Sequence, residues 1–410
     1  MTKVATSKTI FSACPLCNHS HLAVLEEKHN FESFTTMGDI FSFEIGATAC
    51  RQCGFMFLNP RAGQAQMHKY YSRQSRIPRS LKSMSKPFSR LLDMQVSFIR
   101  QHWEPPIGAR LLDIGGAEGF FLERLSHDVP GDAICEIIEP STKYAETAQL
   151  VLPTAVIHRC MLEDAHLNEK AFDLVSLRHV LEHLQSPREA LQIIRKLLKP
   201  TGVLHLELPN VAHWPPSVSS MVHHEHLNYF TSDTMNYALA LEGFQLIALE
   251  EWNDNPESSG FAYPVLRVIA APSNNPAVIV PSGSKVPENY KRQQRTRSMY
   301  VEKHIGPVRR RIEELNAAGC SIALFGAGPH TLDFLRALKM PLSVWSILID
   351  NNPNKIGKNF KGIIIQAPSR EVLATVAAVV ISSEEFEAEI AEQIRELDQS
   401  NIEIITLYEK

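Results

Sequence analysis

Residues 111–119 constrain the fold of this chain more than any other segment. They read Leu-Leu-Asp-Ile-Gly-Gly-Ala-Glu-Gly, and an apolar stretch that begins with Phe120 follows them. This order predicts a buried strand, a tight glycine turn and a helix N-terminus, which together form a notch where a nucleotide-sized ligand can approach the backbone. The glycine spacing differs from the Gly-x-Gly-x-x-Gly of dinucleotide-binding folds, which disfavours a nicotinamide cofactor.

The segments that follow this turn have the order of an open parallel sheet. Residues 132–138 predict an apolar strand that ends at Glu139, where a carboxylate can accept hydrogen bonds from both hydroxyls of a ribose. Residues 172–175 open a further strand, with His-Val-Leu-Glu-His at 179–183 after its carboxyl end, and residues 197–204 end a helix, turn and begin another strand. Parallel strands present their carboxyl ends at one edge, so these segments predict a ligand crevice there.

These motifs, over roughly residues 105–250, resemble those of the class I S-adenosylmethionine (SAM) methyltransferases, whose first motif is an acidic residue followed by glycines at alternate positions. Ala117 replaces one of the usual glycines. The resemblance implies a Rossmann-like domain that binds SAM, with His179 at the methionine end of the cofactor. An α/β domain that binds a dinucleotide without transferring methyl groups is the alternative. The residues designated for cofactor binding are Asp113, Gly115, Gly116, Ala117, Gly119, Glu139, Met161, Leu162, Arg178 and His179.

Four of the seven cysteines form two Cys-x-x-Cys pairs, Cys14 with Cys17 and Cys50 with Cys53. Two such pairs suit a tetrahedral zinc ion, because each tight turn directs two thiolates at one metal. Four thiolates leave no open coordination position, so we predict a structural zinc site. A thioredoxin-like redox site is the alternative, but such sites use a single pair beside a helix N-terminus.

The composition limits the partners of the chain. Its 410 residues suggest two or three domains, and its net charge of −4 favours neither nucleic acid nor an anionic membrane. The sequence shows neither a stretch long and apolar enough to cross a bilayer nor the apolar core of a signal peptide. We therefore expect a cytoplasmic protein with reduced thiols that acts on a small molecule, with an oligomeric state that the sequence leaves open.

Residues 223–231 read His-His-Glu-His-Leu-Asn-Tyr-Phe-Thr and follow the last strand of the predicted parallel run. An imidazole with a pKa near neutrality can remove a weakly acidic proton, so this segment is a candidate for proton transfer. Together with the cysteine pairs and the Tyr70-Tyr71 dipeptide, it resembles the zinc-containing sugar C-methyltransferases, which act on nucleotide-linked 4-keto-deoxysugars.

That resemblance implies that His226 is the catalytic base and Glu225 its acidic neighbour. His223 falls where the family has a tyrosine, and Tyr71, with Tyr70 and Arg73, matches a tyrosine-rich segment at the substrate end of the cleft. The family's His-Gly-Gly-x-x-Arg segment is replaced at residues 257–267, where Gly260 and Arg267 alone match.

Two other interpretations of the histidine segment stay open. It could shape the cleft and cap a helix over residues 232–241, for which Thr231 or Ser232 suits the N-cap. A metal site formed by the three histidines and Glu225 is the second, less favoured because adjacent residues diverge on a strand or helix.

The last third of the chain repeats the strand–glycine turn–helix pattern. Residues 272–284 form a linker rich in Pro, Ser and Asn, residues 288–318 predict a long polar helix, and residues 321–330 contain the second glycine turn. This region resembles the C-terminal domain of the sugar C-methyltransferases, which helps to hold the nucleotide-linked substrate. Thr331 occupies the position of the third dinucleotide-fold glycine, so a separate NAD site is not expected.

We therefore predict an α/β protein with a zinc-ribbon-like module at residues 1–75, a Rossmann-like class I methyltransferase domain at 76–272 and a second Rossmann-like domain, with its linker helix, at 273–410. The predicted activity is C-methylation of a nucleotide-linked keto-sugar or a related metabolite through an enolate. Methylation of O, N or another carbon on a different small metabolite is the alternative, and a non-catalytic SAM-binding protein the less favoured one. The predicted catalytic residues are His226, Glu225, His223 and Tyr71.

Overall fold

A computed structural model describes residues 8–35, 39–71, 86–253, 263–383, 386–397 and 402–408. Its N-terminal part contains five strands and one helix, which are β1 (Lys8–Thr9), β2 (Leu22–Phe34), β3 (Ile40–Cys50), β4 (Met56–Leu58), β5 (Arg61–Ala62) and α1 (Gln64–Tyr71). Strands β2, β3 and β4 pair in sequence as an antiparallel meander, in which the long β2–β3 hairpin supplies most of the pairing.

The central region builds a seven-stranded sheet. Its elements are α2 (Lys86–His102), β6 (Arg110–Ile114), α3 (Phe120–Ser126), β7 (Ile134–Ile138), α4 (Thr142–Val151), β8 (Val156–His158), β9 (Phe172–Arg178), α5 (Pro187–Leu197), β10 (Leu198–Pro209), β11 (Asn228–Tyr229), α6 (Ser232–Leu241), β12 (Phe244–Asn253) and β13 (Pro264–Pro272). The strand order is β12-β13-β10-β9-β6-β7-β8. The strands from β8 to β10 are parallel, and β13 is antiparallel to both of its neighbours.

This arrangement confirms the predicted α/β fold and its parallel strand order. Strands β6, β7, β9 and β10 lie where the sequence predicts them, although β10 begins at Leu198 and carries an irregularity before Val203. Helix α6 has the predicted bounds, and its N-cap is Thr231, whose side chain accepts a hydrogen bond from the backbone N–H of Thr234.

Strand β11 does not belong to the central sheet. It pairs antiparallel with β4, so that Asn228 lies opposite Phe57 and the N-terminal sheet has the order β11-β4-β3-β2. The N–H of Leu58 donates to the carbonyl of Leu227 at 3.0 Å, which extends this pairing by one residue. The N-terminal sheet is therefore completed by the segment that carries the histidines.

The last third forms a separate six-stranded sheet. Its elements are α7 (Val286–Ala317), β14 (Ile322–Phe325), α8 (Pro329–Leu338), β15 (Ile347–Ile349), β16 (Asn359–Phe360), β17 (Ile363–Gln366), α9 (Arg370–Leu373), β18 (Ala378–Ile381), α10 (Glu387–Leu397) and β19 (Glu403–Ile405). The order is β16-β17-β15-β14-β18-β19, parallel except at β16. The predicted long helix is confirmed as α7, and the described residues 273–285 before it have neither helix nor strand, as predicted for a linker.

No helix in the described part of the chain has the length and apolar character needed to cross a membrane.

The linker packs directly on the second cysteine pair. Gly283 donates its N–H to the carbonyl of Gln52 at 3.1 Å, and a Cβ added at Gly283 would lie 2.3 Å from the carbonyl oxygen of Cys50. The contact is backbone against backbone, so neither side can yield by rotating a side chain. Only glycine fits there.

We expect Gly283→Ala to destabilise the protein by about 1–3 kcal/mol, because the added methyl group must displace the cysteine turn. Thermal unfolding followed by circular dichroism measures this. Gly328→Ala is the matched control, since a Cβ at Gly328 meets nothing within 4 Å and its φ of −115° suits alanine. Equal melting temperatures for the two variants would contradict the close packing.

Candidate active site

The turn after β6 leaves no space for side chains. Gly115 has a φ of 70°, and a Cβ there would lie 2.4 Å from Cγ2 of Val180. Gly119 has a φ of 80° and caps α3. Ala117 also takes a left-handed conformation, with a φ of 47°, so alanine adopts a geometry that favours glycine at the position where the family usually has one. Gly116 is closely packed too, since its Cβ would lie 2.8 Å from Ile137.

Glu139 follows β7 and faces this turn. Its Oε2 accepts a hydrogen bond from the N–H of Ala117 at 3.0 Å, and its Oε1 accepts one from the N–H of Ser141 at 2.8 Å. Burial raises the pKa of Glu139 to about 7, against the opposing effect of these two hydrogen bonds. Each carboxylate oxygen can accept a further bond, so the group can still bind the two hydroxyls of a ribose.

Buried Asp113 and partly buried Arg178 form an ion pair between β6 and β9, with 3.2 Å between Nη2 and Oδ2. Burial raises the pKa of Asp113, although the charge of Arg178 opposes the shift. The guanidinium also lies over the ring of Phe121, 3.9 Å from its centroid. Two predicted cofactor residues are thus held together at the carboxyl edge of the sheet.

A second buried pair continues this network toward β13. Nε of Arg267 donates to Oε2 of Glu207 at 2.8 Å, and both side chains are almost fully buried. Gln95 of α2 donates to Glu207 and lies 3.4 Å from Nη1 of Arg178, which links the two pairs. Burial alone would raise the pKa of Glu207, but His179 and Arg267 hold it below its usual range.

His179 marks the end of the cofactor half of the site. It has a left-handed φ of 54°, and its Nε2 lies 3.6 Å from Glu207 while its Nδ1 lies 3.6 Å from Glu182. The predicted residues Met161 and Leu162 lie beyond the carboxyl end of β8, where Leu162 is buried and opens a short 3-10 turn. The predicted cofactor residues therefore all lie near one edge of the sheet.

His223 and His226 of the histidine segment lie beside this edge, where they form the histidine cluster with Glu182 and His183. The ring centroid of His226 lies 4.0 Å from that of His223 and 5.0 Å from that of His183. Burial, reinforced by the neighbouring histidines, lowers the pKa of His226 well below its usual value. His226 is therefore neutral at physiological pH.

The carboxylate beside His226 is that of Glu182, which the sequence did not single out. The ligating atoms of Glu182, His183 and His226 all lie within 4.8 Å of one another. Glu225, designated by the resemblance, groups instead with His223 and His224 at the same separation. Either group could in principle hold a metal ion.

Hydrogen bonds to backbone and side-chain groups fix the two segments that carry the cluster. The carbonyl of Glu182 accepts from the N–H of Leu227 at 2.8 Å, and that of Leu184 accepts from the side chain of Asn228 at 2.7 Å. Arg61, also buried, donates to Asn228 and to the carbonyl of Gln185. Desolvation lowers the pKa of Arg61 to about 10.

The two tyrosines have different surroundings. Tyr70 is fully buried, its hydroxyl lies 3.1 Å from Oγ of Ser33, and its ring packs edge-on against His224. His224 in turn stacks on Phe43 with 4.2 Å between centroids. Tyr71 is more exposed, and its hydroxyl lies 3.4 Å from Nδ1 of His183, so it is the tyrosine that faces the cluster.

The four cysteines come together as predicted. Sγ of Cys14 lies 3.8 Å from Sγ of Cys53, and Sγ of Cys17 lies 3.5 Å from that of Cys50. These separations are far longer than a disulfide bond and close to the edge, about 3.8 Å, of a tetrahedron with Zn–S bonds of about 2.3 Å. The sulfur positions therefore fit a zinc ion.

The second glycine turn differs from the first in the partners of its carboxylate, that of Asp350. Oδ2 of Asp350 accepts from the N–H of Ala327 at 2.8 Å, as Glu139 does from Ala117, but it also lies 3.2 Å from Nζ of Lys355. Its Oδ1 accepts from the N–H of Asn352 at 2.8 Å. This carboxylate is therefore occupied by its own loop.

Some predicted features lie outside the described residues. Arg73 and residues 257–260 are among them, and so is the predicted boundary between residues 75 and 76.

Comparison with known proteins identifies the central region. The methyltransferase domain family matches residues 73–249. The ubiquinone biosynthesis O-methyltransferase of Actinobacillus pleuropneumoniae is 28% identical over 134 residues, which cover 30% of this chain and 56% of that protein. The tRNA U34 carboxymethyltransferase of Syntrophotalea carbinolica is 33% identical over 119 residues, covering 28% of this chain and 36% of that protein. The chain spans about half the length of the first curated relatives that it matches.

Solved methyltransferase structures are also similar at low identity. A SAM-dependent methyltransferase from Mesorhizobium loti has a TM-score of 0.37 and 17% identity, covering 44% of this chain and 99% of that one. The 1,6-didemethyltoxoflavin-N1-methyltransferase of Burkholderia thailandensis has a TM-score of 0.37 and 15% identity, covering 45% and 79%. The family match covers the region that carries the glycine turn, Glu139 and the parallel strands, and it identifies residues 73–249 of this chain as a methyltransferase domain.

Proposed function

We propose that the chain transfers the methyl group of SAM to a small-molecule acceptor bound over the histidine cluster. The observation that carries this proposal is the segment that begins with the last residue of β9. Arg178 and His179 belong to the buried network of the cofactor half, and Glu182 and His183, a few residues later, belong to the cluster. One short segment thus supports both halves of a site in which methyl donor and acceptor must meet in line.

The acceptor that we propose is a carbon next to a carbonyl, as in a nucleotide-linked keto-sugar or a related metabolite. SAM is already electrophilic, so the protein must align the acceptor and, for carbon, help to remove its proton. Loss of that proton gives an enolate, whose carbon attacks the methyl group as the S–CH3 bond breaks and S-adenosylhomocysteine leaves. We propose that His226, His223, Glu225 and Tyr71 contact the acceptor, with a neutral imidazole of the histidine cluster taking up the proton that leaves the carbon.

A second candidate is methylation of an acceptor oxygen. The names of several curated relatives describe O-methyltransferases, although they align over about half of their length. An already acidic hydroxyl would need less help with deprotonation than a carbon acid does. The third alternative, a non-catalytic SAM-binding protein, would bind SAM without transferring its methyl group.

We also propose that the four cysteines bind one structural zinc ion. Cys14, Cys50 and Cys53 are buried in the same apolar cluster as residues of the central sheet, so the ion would fix the N-terminal sheet against the methyltransferase domain. Four protein ligands leave no coordination position for the acceptor, so the ion takes no part in the reaction.

Replacing Cys50 by Ser should remove one equivalent of zinc per chain relative to the native protein and lower its thermal stability, because the ion contributes to folding. Elemental analysis of both proteins, purified in parallel, measures the difference. Cys320→Ser, outside the cluster, is the control and should keep the native zinc content. Equal zinc in all three proteins, or a disulfide among the four cysteines, would refute the site.

Glu139→Ala should weaken SAM binding roughly ten- to a hundredfold, because it removes charge-assisted hydrogen bonds to the ribose. The carboxylate is ionised above its pKa of about 7, so native affinity should fall as the pH drops below that value. Glu139→Gln keeps the shape of the side chain without the charge, and its affinity should not change with pH in this range. Calorimetry between pH 6 and 8 measures all three proteins. Native-like binding by Glu139→Ala would mean that the ribose lies elsewhere.

The acceptor is tested by solvent exchange. In D2O and without methyl donor, the native protein should exchange the proton next to the carbonyl of a nucleotide-linked 4-keto-deoxysugar, seen as a mass increase of the sugar. His226→Ala should lose this exchange, by about a hundredfold or more, while it keeps its affinity for SAM. His224→Phe, changed within the aromatic packing, should retain it. If the native protein neither exchanges nor methylates the sugar, the keto-sugar acceptor is wrong.

A further inference from the structure

Glu182 is a buried carboxylate whose negative charge the protein does not balance by hydrogen bonds. Its side chain is 2% exposed, and neither carboxylate oxygen has a hydrogen-bond partner among the described residues. Burying a carboxylate without partners is costly, so such a group in a folded protein implies a cation or a donor close by. The nearest groups that the structure offers are imidazole nitrogens.

The orientation of His183 also indicates a positive charge beside Glu182. Its Nδ1 lies 2.8 Å from the carbonyl oxygen of Glu225, which can only accept, so Nδ1 carries the proton and donates it. In the neutral ring Nε2 then carries a lone pair, and this atom lies 3.7 Å from Oε1 of Glu182. A lone pair that faces a carboxylate oxygen is repelled unless a positive charge lies between them.

We propose that Glu182, His183 and His226 bind one divalent transition-metal ion. Their ligating atoms lie within 4.8 Å of one another, which places them around one common point. Two imidazoles and one carboxylate suit ions such as Zn²⁺, Fe²⁺ and Co²⁺. The bond from His183 to a backbone carbonyl is the outer contact that usually orients a histidine ligand.

The proposed site is also built rigidly. The hydrogen bond from Leu227 to the carbonyl of Glu182 and the bond from Asn228 to Leu184 join the two ligand-bearing segments on either side of the ligands. The cluster therefore does not depend on a loop closing to bring its ligands together. It lies apart from the four cysteines, whose sulfurs form a group of their own.

This inference rests on the proposed function, and it specifies which chemical groups the acceptor must carry. Three protein ligands leave positions on the ion open, and His183, whose side chain is 27% exposed, borders the accessible side of the cluster. An acceptor with two adjacent oxygens, such as a ketone next to a hydroxyl, can occupy two such positions at once. The ion would then hold the acceptor, and His226 would serve as a ligand rather than as the proton acceptor that the resemblance designates. The imidazole of His223, whose centroid lies 4.0 Å from that of His226, would take up the acceptor's proton.

Cobalt titration tests the site without any need for turnover. The full-length protein is treated with a chelator that leaves thiolate-bound zinc in place, and Co²⁺ is added while absorption and binding heat are recorded. We expect one equivalent to bind with the visible bands of nitrogen and oxygen ligands and without a sulfur-to-cobalt charge-transfer band. If the native protein takes up no such equivalent, the proposal is wrong, whatever the variants do.

Variants then locate the ion. Glu182→Gln and His226→Gln should each weaken Co²⁺ binding at least a hundredfold, and SAM affinity in the same samples reports whether the domain is folded. Glu225→Gln and His224→Phe, from the neighbouring group, should leave Co²⁺ binding unchanged. Loss of the ion in these two variants, with retention in Glu182→Gln, would overturn the assignment. The native protein could bind Co²⁺ but neither exchange nor methylate a keto-sugar. That result would refute the proposed acceptor without refuting the metal site.

Discussion

The compensation of buried negative charge governs the carboxyl edge of the central sheet. Asp113 and Glu207 are each paired with a guanidinium, and the carboxylate of Glu139 accepts from two backbone amides. The first and the last of these contacts also position residues that the sequence predicts to bind the cofactor. The carboxylate oxygens of Glu182, on the same edge, have no hydrogen-bond partner among the described residues, and the imidazoles of His179 and His183 lie 3.6 and 3.7 Å away. A carboxylate without partners is costly in a low-dielectric interior, so Glu182 favours a bound cation at this point of the site.

The fold was largely predictable because its signals are local. Apolar runs that end in glycine or in an acid specify the parallel strands and their carboxyl ends, and the Cys-x-x-Cys spacing specifies which sulfurs converge. Strand β10 begins earlier than the sequence predicts, because Leu198 already belongs to the sheet before the irregularity at Val203. Sequence also gave no sign that β11 completes the N-terminal sheet, since a strand of two residues has no periodicity to detect.

The site was only partly predictable because its key contacts are not local. The resemblance designates Glu225 by its place in the matched motif, and the structure adds a second carboxylate, that of Glu182, which groups with His183 and His226 from a different segment. The signal for Glu182 is an acid shortly after the end of β9 at Arg178, yet nothing in the sequence shows whether a carboxylate is buried or exposed. Similarly, Tyr70 and Tyr71 are adjacent, and packing alone decides that the first is buried and the second faces the cluster.

The pairing of β4 with β11 has a consequence for synthesis on the ribosome. Met56 and Phe57 emerge early, but their partners Tyr229 and Asn228 emerge only after β6 to β10 have been made. Until then β4 presents an open strand edge, the kind of surface at which nascent chains associate wrongly. The parallel strands can assemble from nearby segments, whereas the N-terminal sheet must wait for a distant one. A truncated chain that stops before residue 228 would therefore carry the parallel strands and the histidines but lack β11, the strand that joins the histidine segment to β4.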